Sequence, residues 1–84
     1  MEYFVYIVEC ADTTLYTGIT TDLERRLTEH NQSEKWAKYT RVRRPVTLVY
    51  SEKHASRSEA CQREYAIKQL SREEKLEMMR KHWL

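Results

Sequence analysis

Hydrophobic and polar positions change period several times along this 84-residue chain. YFVYIVEC at 3–10 is almost uninterruptedly β-branched and aromatic, which predicts a strand buried on both faces or nearly so. ADTT at 11–14 is turn chemistry, and LYTG at 15–18 reads as a second short strand, so an antiparallel hairpin is the economical connection. An odd-numbered loop, such as three residues at 11–13, would set residues 6, 8 and 16 on one face, whereas an even loop would separate the tyrosines; the odd loop is expected. Three Ser/Thr-x-x-Glu pairs announce helix starts: Thr21 with Glu24, Ser56 with Glu59, and Ser71 with Glu74. The first helix carries Leu23 and Leu27 on one face and should run to about His30, with Asn31, Gln32 and Ser33 as its exit. A short helical turn over 34–40 is compatible with the pattern; Pro45 ends it, and VTLVYSE at 46–52 reads as a third strand. A helix over 57–70 places Ala60, Cys61, Ile67 and Leu70 on one stripe, and the last helix does the same with Leu76, Met79 and Trp83. The predicted order is ββαβαα, an α+β fold with a three-stranded antiparallel sheet.

Length makes residues 1–84 a single domain that buries roughly 60% of its unfolded surface, enough for a core without metal or disulfide staples. With 40% hydrophobic and 33% charged residues the chain is not of the disordered class. No apolar run approaches a transmembrane span, and the start lacks the cationic segment and cleavage site of a signal peptide, so a cytoplasmic address is expected. Cys10 and Cys61 have no Cys or His companion at metal-ligand spacing and are expected to be reduced core thiols.

A net charge of +2 announces no polyanion partner, but its distribution is informative. Residues 35–51, KWAKYTRVRRPVTLVYS, hold Lys35, Lys38, Arg41, Arg43 and Arg44 without an acid, and Trp36 and Tyr39 are interleaved among them. Such a mixture suits phosphate contacts with base or sugar stacking. It also suits a solvated basic loop whose aromatics turn into the core.

Gly18 is the only glycine. It supplies either a turn free of Cβ restrictions where strand passes into helix, or a bare backbone that lets another group approach. Arg26, eight residues on, lies about 100° or more around the helix from Leu23 and Leu27 and can point across the hairpin. The plain alternative is that Arg25 and Arg26 are solvated helix charges.

FVY at 4–6, YTG at 16–18, Arg26 and a glutamate in a later helix together resemble the GIY-YIG nuclease domain. The likeness runs through LERRLTEH, the third strand and SEACQREYAIKQLS, and is nearest to small standalone bacterial members. It implies a three-stranded antiparallel sheet flanked by helices and a metal-dependent DNA endonuclease, in a family that includes DNA repair incision enzymes, homing and restriction endonucleases and resolvers of branched DNA. Carried over by position, it implies Tyr6 and Tyr16 as motif tyrosines, Arg26 as the phosphate-binding arginine, Glu64 as the metal ligand and His30 as a polar active-site neighbour. Two departures stand out. Phe4 replaces the glycine of the first motif, and Ile19 stands where some repair members carry a lysine. No helix-turn-helix or zinc finger supplies sequence specificity, so shape or a protein partner is expected to do so.

Phosphodiester hydrolysis needs an activated water, neutralisation of charge on the non-bridging oxygens and help for the leaving alkoxide. Arg26, permanently charged and forked, suits the phosphate. Glu64, on the stripe between Ala60 and Ile67, is either a ligand for a single Mg²⁺ or Mn²⁺ or a rim carboxylate paired with Lys68. Tyrosine, with an ordinary pKa of about 10, is well under 1% phenolate at neutrality, so Tyr6 acts as a base only if Arg26 and the cation lower it, and otherwise positions the water. Tyr6, Tyr16, Arg26 and Glu64 are expected on one concave surface, with Glu64 on the same side of the sheet as Arg26 and Arg41, Arg43 and Arg44 flanking it. The alternatives are a monomeric nucleic-acid-binding module with little turnover and a protein-interaction domain whose tyrosines are core.

Overall fold

Alternate side chains of the first strand feed two separate cores. The computed structural model describes residues 2–33 and 38–83, which form β1 (Tyr3–Glu9), β2 (Leu15–Thr20), α1 (Leu23–Gln32), α2 (Lys38–Arg41), β3 (Thr47–His54), α3 (Arg57–Lys68) and α4 (Arg72–Trp83). The strands make one antiparallel sheet in the order β2-β1-β3, with β1 central. Val5 and Ile7 point to one face and pack with Tyr50, Ala60 and Ile67, so α3 covers that face, joined by Met78 and Met79 of α4. Tyr6 and Val8 point to the other and pack with Val46, Tyr16, Leu23 and Leu27, so α1 covers it. The expected α+β order is therefore present; the short α2 overlaps the end of the helical turn read over 34–40, of which residues 34–37, Trp36 among them, lie outside the described residues.

The hairpin has the odd loop. Cys10 donates its N–H to the Thr14 carbonyl at 2.8 Å, leaving residues 11–13 as the turn, and Val8 faces Tyr16 while Tyr6 faces Gly18. Thr13 takes the left-handed backbone its place in such a turn requires, at φ 68°, unusual for a β-branched residue. Arg72 at the start of α4 donates to the Thr13 carbonyl and ties the turn down. In β3 the pairing slips by one residue between Ile7/Tyr50 and Val8/Leu48, so Tyr50 and Leu48, which would otherwise share a face, enter opposite cores.

Two helix starts match the sequence reading and one does not. Ser56 accepts from the Glu59 N–H, and Ser71 with Glu74 forms a reciprocal capping box. For α1 the cap is Asp22, not Thr21: the Asp22 carboxylate accepts from the Arg25 N–H at 3.0 Å while the Thr20 hydroxyl holds the Asp22 N–H. The helix continues through Asn31 and Gln32, and Asn31 reaches across to pair with both backbone groups of Val46. On α3 the buried stripe is Ala60 and Ile67; Cys61, expected in the core, is exposed, whereas Cys10 is buried. Helix α4 packs through Met79, as expected, together with Met78; Leu76, expected on the same stripe, is exposed, and the Trp83 side chain lies outside the described residues. Glu52 of β3 accepts from Tyr50 and Arg63, and Arg63 also reaches the Met78 sulfur, binding β3, α3 and α4 together. No helix of the described residues is long and apolar enough to cross a membrane.

Candidate active site

β2 lies at the edge of the sheet, and Gly18 leaves a gap in its wall. The gap is filled from β1: the Tyr6 hydroxyl lies 2.5 Å from where a Cβ on Gly18 would stand, and the ring carbon bearing it lies at 2.7 Å. Gly18 is thus mid-strand, with no positive φ, and the expectation of a turn glycine is corrected; its bare backbone admits the tyrosine ring.

Tyr6 is almost wholly buried, yet its hydroxyl takes part in a chain of polar contacts. It shares a hydrogen bond of 2.8 Å with His30 Nε2, and His30 Nδ1 shares another of 2.8 Å with Thr40 Oγ1. The guanidinium of Arg26 is close enough to favour the ionised phenol. Burial, then the neighbouring Tyr16, push the Tyr6 pKa up, and the nearby Arg26 charge only partly offsets them. His30 is pushed down to about 4, first by burial and then by the Arg26 charge, so its imidazole is neutral at pH 7. His30 does not line the cavity but backs it, behind both motif tyrosines.

Arg26 is held by Glu29, one helical turn on, with Nε to Oε1 at 3.0 Å, and by the Ile19 carbonyl at 3.3 Å. That clamp aims it across the hairpin toward β2, as its helical phase predicts.

Tyr6, Tyr16, Arg26 and Glu64 line one cavity of about 410 Å³ with Gly18, Cys61 and Arg57. The expectation that Glu64 and Arg26 share a side of the sheet is nonetheless corrected. Helix α1 packs on the Tyr6 face and α3 on the Val5 face, so the two residues come from opposite faces. They meet because the cavity wraps over the edge of β2, where no strand of the described residues pairs beyond it and Gly18 has no side chain. Glu64 pairs with Lys68 at 3.3 Å, as the rim reading has it, and is 24% exposed where it lines the cavity. It is not an uncompensated charge among apolar groups.

The donor set suits one hard cation held mainly by water and substrate oxygens. Glu64 is the carboxylate lining the cavity, and the described residues contain no group of three or more His, Cys, Asp or Glu placed to hold a metal. Mg²⁺ is commonly bound in this way, by one or two carboxylates plus phosphate and water.

The basic segment spends part of its charge on internal contacts. Arg44, expected to flank the site, turns inward: its guanidinium donates to the carbonyls of His30 at 2.6 Å, Glu29 and Ser33, capping the C-terminus of α1. Arg43 pairs with Asp12 at 3.1 Å and donates to the Tyr39 carbonyl at 2.7 Å. Arg41 is exposed, and neither it nor its two neighbours lines the cavity. Lys35 and the Lys38 side chain lie outside the described residues. The cation that does reach the cavity from elsewhere is Arg57, the first residue of α3, which the linear pattern did not single out. Glu29 and Thr40 were missed too; the i, i+3 spacing of Arg26 and Glu29 is a signal that could have found the first, whereas Thr40 meets His30 only through the fold.

A sheet edge carrying two tyrosines from a hairpin, an arginine from the following helix and a glutamate from a later one defines a class. The chain belongs to the GIY-YIG family: the GIY-YIG catalytic domain matches residues 2–77. Its relatives include the UPF0213 protein DP2720 of Desulfotalea psychrophila, 71% identical over 69 residues that cover 82% of this chain but only 63% of that one. The UPF0213 protein SH2523 of Staphylococcus haemolyticus is 55% identical over 93% of this chain and 94% of its own. The solution structure of the protein EF2693 from E. faecalis, 41% identical, superposes over 100% of this chain and 90% of that one with a TM-score of 0.67.

Proposed function

We propose that this protein is a small metal-dependent endonuclease that hydrolyses DNA phosphodiester bonds. The observation that carries the reading is the meeting of Tyr6, Tyr16, Arg26 and Glu64, drawn from four elements and both faces of the sheet, in one cavity. Packing alone gives no reason for an arginine, a carboxylate and two phenols to converge there.

Arg26 binds the scissile phosphate and grips it more strongly as charge gathers on the non-bridging oxygens. Arg57 adds a second positive charge to the wall and makes up in part for the lysine that Ile19 replaces. Glu64 holds Mg²⁺ or Mn²⁺, which when bound stabilises the leaving oxygen as a Lewis acid. Tyr6 cannot serve as a preformed phenolate, since its environment favours the protonated form. The hydrogen-bonded row suits positioning instead: the Tyr6 hydroxyl donates to His30 Nε2 and offers its lone pairs to the attacking water, and Thr40 Oγ1, accepting from Nδ1–H, keeps the imidazole in the receptive tautomer. A neutral His30 is what this requires. Tyr16, packed edge-on against His30 at 5.2 Å, closes the other side.

Incubating the protein with branched, nicked, single-stranded and duplex DNA in Mg²⁺ or Mn²⁺ tests the reading. Cleavage of at least one substrate, lowered about 100-fold or more in Arg26→Ala with the fold retained, is the expected result. No cleavage of any of them would overturn it. Salt-dependent binding without cleavage would leave a nucleic-acid-binding module.

A further inference from the structure

Two of the charges that line the cavity are already answered by the protein itself. Arg26 is paired with Glu29 at 3.0 Å, and Glu64 with Lys68 at 3.3 Å. Arg57 lines the same cavity, and among the described residues no carboxylate pairs with it. Local helix stability does not call for that cation. Arg57 is the first residue of α3, where unpaired N–H groups make the helix end positive and disfavour a positive side chain; Glu59, in the same turn, is the charge such an end prefers. Packing does not call for it either, since Arg57 is exposed.

Spacing along α3 separates this cation from the carboxylate. Arg57, Cys61 and Glu64 follow at i, i+4 and i+7 and meet the cavity as one stripe of the helix. Seven residues advance a helix by about 10 Å through nearly two whole turns, so Arg57 and Glu64 stand at opposite ends of that stripe. A phosphate held between Arg26 and a cation at Glu64 occupies one end, and Arg57 is left with the other. A DNA strand carries a row of phosphates, so a strand seated at the first end brings a further anion toward the second.

We propose that Arg57 is the cation of a second anion subsite, which takes a non-scissile phosphate of the same strand, and that it acts on substrate binding while Arg26 acts on the chemical step. This rests on the endonuclease reading and adds to it a requirement for a substrate with at least two phosphates within reach of the cavity.

The test compares wild type, Arg57→Gln and Arg57→Lys. Anisotropy titrations with labelled single-stranded and duplex DNA, in EDTA-containing buffer at several salt concentrations, come first. Arg57→Gln should lower the slope of log affinity against log salt by about one and melt no earlier than wild type, whereas Arg57→Lys should keep the slope. On a DNA that wild type cleaves in Mg²⁺ or Mn²⁺, Arg57→Gln should raise KM about ten-fold and change kcat by less than about two-fold. The same DNA is then made with a single neutral methylphosphonate at each position flanking the cleaved bond. At one position it should raise the wild-type KM about ten-fold and cost Arg57→Gln nothing further, because the charge and its partner are lost together. An unchanged salt slope or KM in Arg57→Gln, or methylphosphonate losses that add to the Arg57→Gln loss at every position, would overturn the subsite while wild-type cleavage left the endonuclease reading standing. A fall in kcat with KM kept would put Arg57 on the scissile phosphate and overturn the subsite equally. Wild type that cleaves nothing, with the slope still lowered in Arg57→Gln, would keep the anion subsite and overturn the endonuclease reading. No cleavage and no change of slope would overturn both.

Discussion

The phenol of Tyr6 occupies the space that a side chain on Gly18 would need, with its hydroxyl 2.5 Å from the position of the absent Cβ. Tyr6 has no room to retreat, being buried and hydrogen-bonded to His30 at 2.8 Å. Gly18→Ala should therefore push the ring off His30 and cost about 1–3 kcal/mol, as overpacking does. Cleavage should fall at least about ten-fold beyond any loss of folded protein. Thermal melts beside rates measured well below the melting range check both; a variant of wild-type stability and rate would contradict the close approach.

His30 links stability to pH. Its folded pKa is about 4 against an ordinary 6.5, because burial and Arg26 disfavour the imidazolium. Between these values the unfolded chain binds more protons, so stability is fully present above about 6.5 and falls as pH falls toward 4, by up to about 3 kcal/mol. The carboxyls of Glu52 and Asp12 titrate below their ordinary 4.5 and 3.8, Glu52 because its Tyr50, Arg63 and His54 contacts outweigh burial and Asp12 chiefly through the Thr14 hydroxyl. Their loss begins at lower pH, so the window from 6.5 to 4.5 isolates His30. Urea titrations should show that slope in wild type and its loss in His30→Gln, which starts less stable.

Glu64 should separate function from stability. Its partner Lys68 is half exposed, so Glu64→Gln should cost only a few tenths of a kcal/mol, within about 0.5. Cleavage should drop about 100-fold or more through loss of the anion that anchors the cation. Melts with and without Mg²⁺, run beside a cleavage assay, decide the matter: full metal-dependent cleavage by the variant would remove Glu64 from the site.

Arg44 should read as a helix cap. It serves carbonyls at the end of α1 from a half-buried position, so Arg44→Ala should cost about 1.5–3 kcal/mol. Arg44→Lys should recover little, since one ammonium cannot reproduce the forked donor. Arg41→Glu, on the exposed side of the same segment, should weaken binding to every DNA sequence alike. Filter binding and melts on the three variants separate the two roles.

The chain's own pattern determined the elements. The β-branched run at 3–10, the odd hairpin loop and two of three capping pairs are local, set by side-chain periodicity and by hydrogen bonds within a few residues, so they can be read without the fold. The same holds for the phase of Arg26. Tertiary structure decided everything that depends on two segments meeting. Asp22 took the α1 cap once Thr20 turned its hydroxyl to the Asp22 backbone, and Cys61 faced the cavity because α3 lies over the edge of β2. The slip in β3 sent Tyr50 and Leu48 into opposite cores. Arg44 became a cap only because the chain after α2 returns to the end of α1, and Thr40 met His30 for the same reason. Above all, Arg26 and Glu64 come from helices on opposite faces, and no periodicity along the chain records that a sheet edge lacking one side chain lets them share a cavity.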